Sequence, residues 1–231
     1  CSCQGIAWTY NEPTIWFEYT YDCAKLAHEK GLLNNYVTNG YVSAEALEII
    51  APYMDAMNID IKGSERFYKE VSKALGREPV FETAKLAKSK GIHLEFTTLV
   101  IPGLNDDIEE IRQIAEFIKN EIGDETPYHL TRFFPHYKML DRPPTPVATL
   151  EHVREVALDV GLKYVYIGNI PGHKFENTLC QNCNELLIER YVFDIVKYRI
   201  TSDKRCPSCG TRIPIIGEYI KRSIHNEIIT F

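Results

Sequence analysis

His93-Leu94-Glu95-Phe96-Thr97-Thr98-Leu99-Val100-Ile101-Pro102-Gly103 is the stretch that decides the fold. Residues 93–101 are rich in β-branched and apolar side chains, which favour an extended strand, and Pro102-Gly103 closes it. Before it, Phe81 to Lys90 reads as a helix ended by Gly91. After it, Asp106 and Asp107 start a helix over Ile108 to Asn120. The same alternation spreads in both directions. Upstream lie a strand over Gln4 to Thr9, a helix over Thr14 to Lys30 entered through Pro13, and a strand over Asn35 to Val37. Ser43 caps a helix over Ala44 to Ile50, a strand covers Ala56 to Ile61, and a helical stretch runs from Glu65 to Lys73. Downstream lie a strand over Tyr128 to Phe134, a proline-rich loop over Arg142 to Pro146, a helix over Leu150 to Val160 and a strand over Lys163 to Ile167. Strands alternating with helices predict an α/β fold, a parallel sheet with helical crossovers, open or closed as a barrel.

Composition sets the outer bounds. The 231 residues are 45% hydrophobic and 25% charged, the balance of a globular chain with a sizeable core. The net charge of −6 argues against a general nucleic-acid binder. No apolar run approaches the roughly 20 residues of a membrane span, and no membrane association is expected. The seven cysteines are odd in number and four are clustered, which points to a metal site in a reducing compartment, the cytoplasm, rather than to a disulfide framework.

In parallel α/β folds, ligands bind beyond the carboxyl ends of the strands. The residues there are Asn11 and Glu12, then Thr38 and Asn39, then Asp60 and Lys62, then His136. A carboxylate such as Glu12 can hold an ammonium group. Asp60 and Lys62 alternate with Ile61, so both face one way, and together they suit ribose hydroxyls and a carboxylate. Asn, Asp and Gly also serve turns for backbone reasons alone, and that reading stands beside the functional one. The remaining histidines, His93, His129, His152, His173 and His225, show no ligand spacing.

Past Pro171-Gly172 the composition changes. Cys180-Gln181-Asn182-Cys183 and Cys206-Pro207-Ser208-Cys209 form two knuckles with 22 residues between them, the spacing of a tetrahedral tetrathiolate site. Asn184 and Gly210 follow the knuckles and tolerate left-handed backbone. The intervening Leu186 to Ile200 is strand-like. A closed set of four thiolates favours a structural zinc, with a second iron–sulfur cluster as the alternative.

The order of Tyr10-Asn11-Glu12-Pro13, Thr38-Asn39-Gly40-Tyr41, Asp60-Ile61-Lys62-Gly63, Val100-Ile101-Pro102-Gly103-Leu104-Asn105-Asp106 and Phe134-Pro135-His136-Tyr137 resembles radical S-adenosylmethionine (SAM) enzymes. The branch is that of pyruvate formate-lyase activating enzyme. Arg142-Pro143-Pro144-Thr145-Pro146, Tyr166-Ile167-Gly168-Asn169 and the C-terminal Cys-x-x-Cys pair further resemble the radical SAM protein of the AmmeMemoRadiSam system. The resemblance covers the chain to about residue 215.

It implies a partial (β/α) barrel over residues 1–170, a zinc-ribbon-like module over 171–217 and a tail over 218–231. Asn11 and Glu12 correspond to the family's Gly-Gly-Glu segment at the SAM amino group, with both glycines replaced. Thr38 and Asn39 correspond to a polar position near the methionine moiety, Asp60 and Lys62 to ribose and carboxylate contacts, and His136 to a neighbour of the adenine. Cys180, Cys183, Cys206 and Cys209 are the expected zinc ligands.

The family holds a 4Fe–4S cluster on Cys-x-x-x-Cys-x-x-Cys, a spacing these residues lack. Those ligands and the first barrel strand are therefore expected upstream of residue 1. Cys1 and Cys3 are expected to be ordinary thiols and Cys23 a core residue. The implied activity is reductive cleavage of SAM to a 5′-deoxyadenosyl radical that activates a glycyl radical protein, fed by a flavodoxin- or ferredoxin-type donor. Residues 1–231 alone are expected to be inactive in it. The alternatives are radical modification of another protein or a small molecule, or a zinc-ribbon binding module on an inactive barrel.

Overall fold

The structure, a computed structural model, describes residues 3–192 and 194–220. Cys1, His225 and most of the expected tail lie outside the described residues. Six strands form a parallel sheet in chain order: β1 (Gly5–Trp8), β2 (Leu33–Thr38), β3 (Ala56–Asp60), β4 (His93–Val100), β5 (Tyr128–Arg132) and β6 (Val165–Gly168). The connections carry α1 (Phe17–Glu29), α2 (Ala44–Ile50), α3 (Glu65–Phe67), α4 (Glu78–Ser89), α5 (Ile108–Phe117) and α6 (Val147–Val160).

Local chemistry sets the helix boundaries. The Ser43 hydroxyl accepts from Ala46 N, and Asp107 Oδ1 accepts from Glu109 N and Glu110 N, filling donors that a helix start leaves unpaired. Two helices begin earlier than the sequence suggests. Pro79 fits the first turn of α4, and Pro146 stands just before α6. The stretch after α3 winds as a π-turn over Tyr68–Ser72 and stops at Lys73, whose φ is 57°.

Burial alternates along the strands. In β4, Leu94, Phe96, Thr98 and Val100 are buried while His93, Glu95 and Thr97 are half-buried. The buried set faces the helices, where Ile111, Ile114 and Ile118 are fully enclosed, and each such side chain contributes about 1.5–3 kcal/mol. The opposite, lumenal face carries Asn35, Asn58, Glu95, Thr97 and His129, so one face of this parallel sheet is polar. Parallel sheets ordinarily bury both faces in apolar contacts.

After β6 the chain forms a three-stranded antiparallel sheet of β7 (Thr178–Leu179), β8 (Leu186–Tyr191) and β9 (Asp194–Tyr198). Within the strand-like run, β8 and β9 pair antiparallel, and the two-residue β7 adds a third strand before them. No helix among the described residues is long and apolar enough to cross a membrane.

Candidate functional site

The carboxyl rim of the sheet gathers the expected polar residues. Glu12 caps the 3-10 turn Pro13–Trp16 and is 7% exposed. Its Oε1 accepts from Thr14 N at 3.3 Å, Thr14 Oγ1 at 3.0 Å and Thr38 Oγ1 at 2.7 Å. Its Oε2 accepts from Asn39 N at 2.6 Å. Thr38 Oγ1 in turn accepts from Gly40 N at 3.1 Å. Glu12 therefore ties the end of β1 to the end of β2, and a carboxylate with about four acceptor positions keeps one open on Oε2. Gly40 has φ +74°, and a Cβ there would meet Ile59 Cγ2 and Val80 Cγ1 at 2.8 Å, so only glycine lets the chain turn this close to α4.

One strand further on, Asp60 and Lys62 flank the buried Ile61 and form an ion pair at 3.0 Å with Asp60 Oδ2. Their backbone is fixed from below. Asn105 is 1% exposed and makes three bonds: Nδ2 donates to Lys62 O at 2.7 Å and to Leu99 O at 2.9 Å, and Oδ1 accepts from Ile101 N at 2.6 Å. The Tyr68 hydroxyl accepts from Lys62 N at 3.0 Å and donates to Asp60 O at 3.4 Å; burial pushes this phenol up and keeps it protonated for that second bond. In the proline-rich loop the buried Thr145 joins β4 to β5, donating to Val100 O at 2.6 Å and accepting from Phe133 N at 3.0 Å. Asn11 and His136 are exposed, and neither side chain has a hydrogen bond within the described residues. The rim thus brings Glu12, Thr38 and Asn39 into one cluster and Asp60 with Lys62 into a second.

The ribbon gathers Cys180, Cys183, Cys206 and Cys209, with all sulfurs within 4.8 Å of one another. Cys180 and Cys209 lie 3.6 Å apart, as do Cys183 and Cys206. Four thiolates about 2.3 Å from one ion form a tetrahedron with edges of about 3.8 Å, so this set fits a single ion. A cubane cluster places each thiolate on a different iron and spreads the sulfurs further apart. The knuckles match each other. Asn184 N donates to Cys180 O and Gly210 N to Cys206 O, both at 2.9 Å, with φ of 58° and 73°. Cys209 Sγ lies 3.2 Å from Thr211 Oγ1, and the Thr211 hydroxyl and backbone lower this thiol from its ordinary value.

The sequence reading missed a cluster in the lumen. Glu95 lies between two imidazoles, with His129 Nε2 at 2.7 Å from Oε2 and His93 Nε2 at 3.4 Å from Oε1. Burial would raise this carboxyl, but the hydrogen bonds from His129 and His93 outweigh it and hold it far below the usual carboxylate range. The available signal was period-two polarity, His93, Glu95 and Thr97, inside a strand expected to be apolar.

A parallel sheet backed by helices, with acceptors at its carboxyl rim, matches what comparison with known proteins finds. The radical SAM superfamily model matches residues 2–118, and the chain belongs to that superfamily. Within it, activating enzymes are among the proteins the chain is similar to. It is 51% identical over 217 residues to an uncharacterised protein of Methanocaldococcus jannaschii, covering 93% of this chain and 64% of that one. It is 26% identical over 129 residues to the pyruvate formate-lyase-activating enzyme of Clostridium pasteurianum, covering 54% of each. A domain of the pyruvate-formate lyase-activating enzyme of Bacteroides vulgatus superposes with a TM-score of 0.60 at 17% identity, covering 71% of this chain and 99% of that one. The chain thus spans less than two thirds of the length of both curated relatives.

Proposed function

We propose that the rim binds SAM and that the protein containing this chain is a radical SAM enzyme. The observation that carries this is the pair of polar clusters, Glu12 with Thr38 and Asn39 and Asp60 with Lys62, at successive strand ends of one rim. The donor set fits the ligand. The open position on Glu12 Oε2 suits the ammonium, Asp60 Oδ1 has no partner among the described residues and suits a ribose hydroxyl, and Lys62 suits the carboxylate. Asn11 and His136 border the ligand. A 4Fe–4S cluster and SAM, when bound, supply a 5′-deoxyadenosyl radical that abstracts a hydrogen atom. Glu12 and Asn105 hold the rim in shape before the ligand arrives, so little ordering is left to binding.

Similar proteins named as activating enzymes favour a protein target; we read that target as a glycyl radical protein, with a flavodoxin- or ferredoxin-type donor in the cytoplasm, on the resemblance of the sequence motifs alone. A second reading, modification of a small molecule, is favoured by the cavity between barrel and ribbon. The ion in the ribbon is zinc, supported by the four close thiolates, and it is structural because no coordination position stays open.

The test is anaerobic reconstitution of the protein with its cluster, followed by assay for 5′-deoxyadenosine. Its complete absence would leave the inactive-barrel reading. In titration calorimetry, Asp60→Ala is expected to weaken SAM roughly tenfold or more, since a hydrogen bond to a charged group is worth about 1.5–3 kcal/mol. Unchanged affinity removes Asp60 from the site.

A further inference from the structure

A cavity of 970 Å³ lies between the sheet and the ribbon, reaching from the amino-terminal ends of β2, β3 and β4 to the loop after β6. That volume is at the upper end for small-molecule sites. Its walls come from both parts of the protein. Ile188, Ile200 and Ile213 line it, and the same three side chains pack around Cys180 and Cys206 in the ribbon core. On the sheet side stand Asn35, Ala56, His93, Glu95 and His129.

The two walls are pinned together. The Tyr166 ring of β6 stacks on His129, with centroids 5.2 Å apart and planes at 20°. Its hydroxyl lies 3.0 Å from Thr178 Oγ1 of β7, and the Arg190 guanidinium of β8 stands over its ring at 5.6 Å. Arg190 Nη1 also donates to Thr178 Oγ1 at 2.8 Å.

Charge narrows the ligand. Among the described residues, Asp55, Glu95, Glu125 and Glu176 line the cavity with Arg190 as the one Arg or Lys in its wall; Lys163 pairs with Glu125 from outside the wall, and His93 and His129 share Glu95, which leaves the lining acidic on balance. A polyanion such as a nucleotide is disfavoured there, and a neutral or cationic head is favoured. The isoleucines favour an apolar body. Sheet register connects this place to the rim. Asp60 pairs with Thr97, Thr97 with His129 and His129 with Tyr166, so these side chains form one row across the lumenal face. With strands about 4.8 Å apart, His129 lies about 10 Å along that row from Asp60.

We propose that this cavity binds an amphiphilic small molecule with an apolar body against the ribbon isoleucines and a neutral or cationic head at Glu95. That this molecule is the substrate of the radical step rests on the function proposed above.

The test uses the chain with its metal bound and Nile red, an uncharged dye that brightens in apolar surroundings. Saturable binding at one site is expected, weakened at least tenfold in Ala56→Phe, which fills the lumen from β3, with circular dichroism and metal content as folding controls. Octan-1-ol and octylammonium are expected to displace the dye at least tenfold better than octanoate. Glu95→Gln, which keeps the volume, is expected to weaken octylammonium at least threefold and leave octan-1-ol unchanged, so the proposal stays testable if Ala56→Phe misfolds. Stripping the metal is expected to abolish the site. Absent saturation, equal binding in folded Ala56→Phe, octanoate competing as well as octylammonium, an unaltered octylammonium response in Glu95→Gln, or a site that survives metal removal overturns the proposal. Dye binding needs no SAM cleavage, so absence of 5′-deoxyadenosine sinks the radical reading alone and absence of dye binding sinks this one alone.

Discussion

The barrel and the ribbon solve the same problem by different means. The barrel's core runs from Trp8 to Ile167 through side chains of all six strands and their helices. The ribbon's buried core is Cys180, Leu187, Ile188, Ile200, Cys206 and Ile213, and two of those six belong to the four-cysteine set. The first can be stable by apolar burial alone. The second is too small for that, and in the proposed reading an ion held by the four cysteines supplies the remainder, because a few isoleucines do not offset the ordering of about 45 residues. The contrast teaches that loss of metal and loss of core packing should fail in different places.

The largest effect expected is removal of the ion. Structural zinc in small domains contributes an apparent free energy of about 10 kcal/mol or more, because the ligands are organised only in the folded state. Cys206→Ser or strong chelation is expected to expose residues 173–217 to protease while the barrel still melts cooperatively. Metal analysis of the untreated chain is expected to give one zinc. A ribbon that stays protected without metal breaks the comparison, and iron with visible charge-transfer absorption replaces the zinc assignment.

Next comes the converse change. Ile114→Ala empties a fully buried position in α5 and is expected to cost about 2–5 kcal/mol in denaturant unfolding, with zinc content unchanged. Loss of zinc together with barrel stability would show that the two parts fold as one unit.

Asn105→Ala is expected to cost about 2–3 kcal/mol, since it strands Lys62 O, Leu99 O and Ile101 N in a buried place. Amide exchange at Ile101 should rise by a larger factor than at ribbon amides. Equal acceleration in both regions would deny that the effect is local.

The smallest effect concerns Glu95. Its carboxyl is held below the usual range, so the stabilisation it gives is complete above the unfolded value near about 4.3 and is lost as pH falls through the folded one. The side chain is partly exposed, so screening limits the contribution to about 1 kcal/mol or less. Glu95→Gln should unfold slightly more easily than the wild type at pH 7, and the gap should close in acid. A gap that widens in acid contradicts the assigned direction.

The same contrast explains what the sequence could show. Strand and helix order, the Ser43 and Asp107 caps, the left-handed Asn184 and Gly210 and the four-cysteine set are local or set by spacing, and the residues carry them directly. The pairing of Glu95 with His129 needs the register of β4 against β5, 34 residues apart, which no local pattern specifies. His93 and His129, without ligand spacing in the sequence, prove to share one carboxylate. Asn105 stood in a recognised motif, yet its three bonds exist only once the loop after β4 folds back beneath Lys62. The sequence offers Glu12 as a partner for an ammonium; most of its acceptor capacity serves the protein itself.

The polar lumenal face has a consequence for the temperature dependence of stability. Exposing apolar surface raises the heat capacity on unfolding, whereas exposing polar surface lowers it. Asn35, Asn58, Glu95, Thr97 and His129 occupy positions that a sheet with two apolar faces would give to aliphatic side chains. The barrel's increment per residue should therefore fall below the usual value of about 12–15 cal/mol/K, which flattens its stability curve. At equal maximum stability, a flatter curve crosses zero at a higher melting temperature and a lower cold-denaturation temperature.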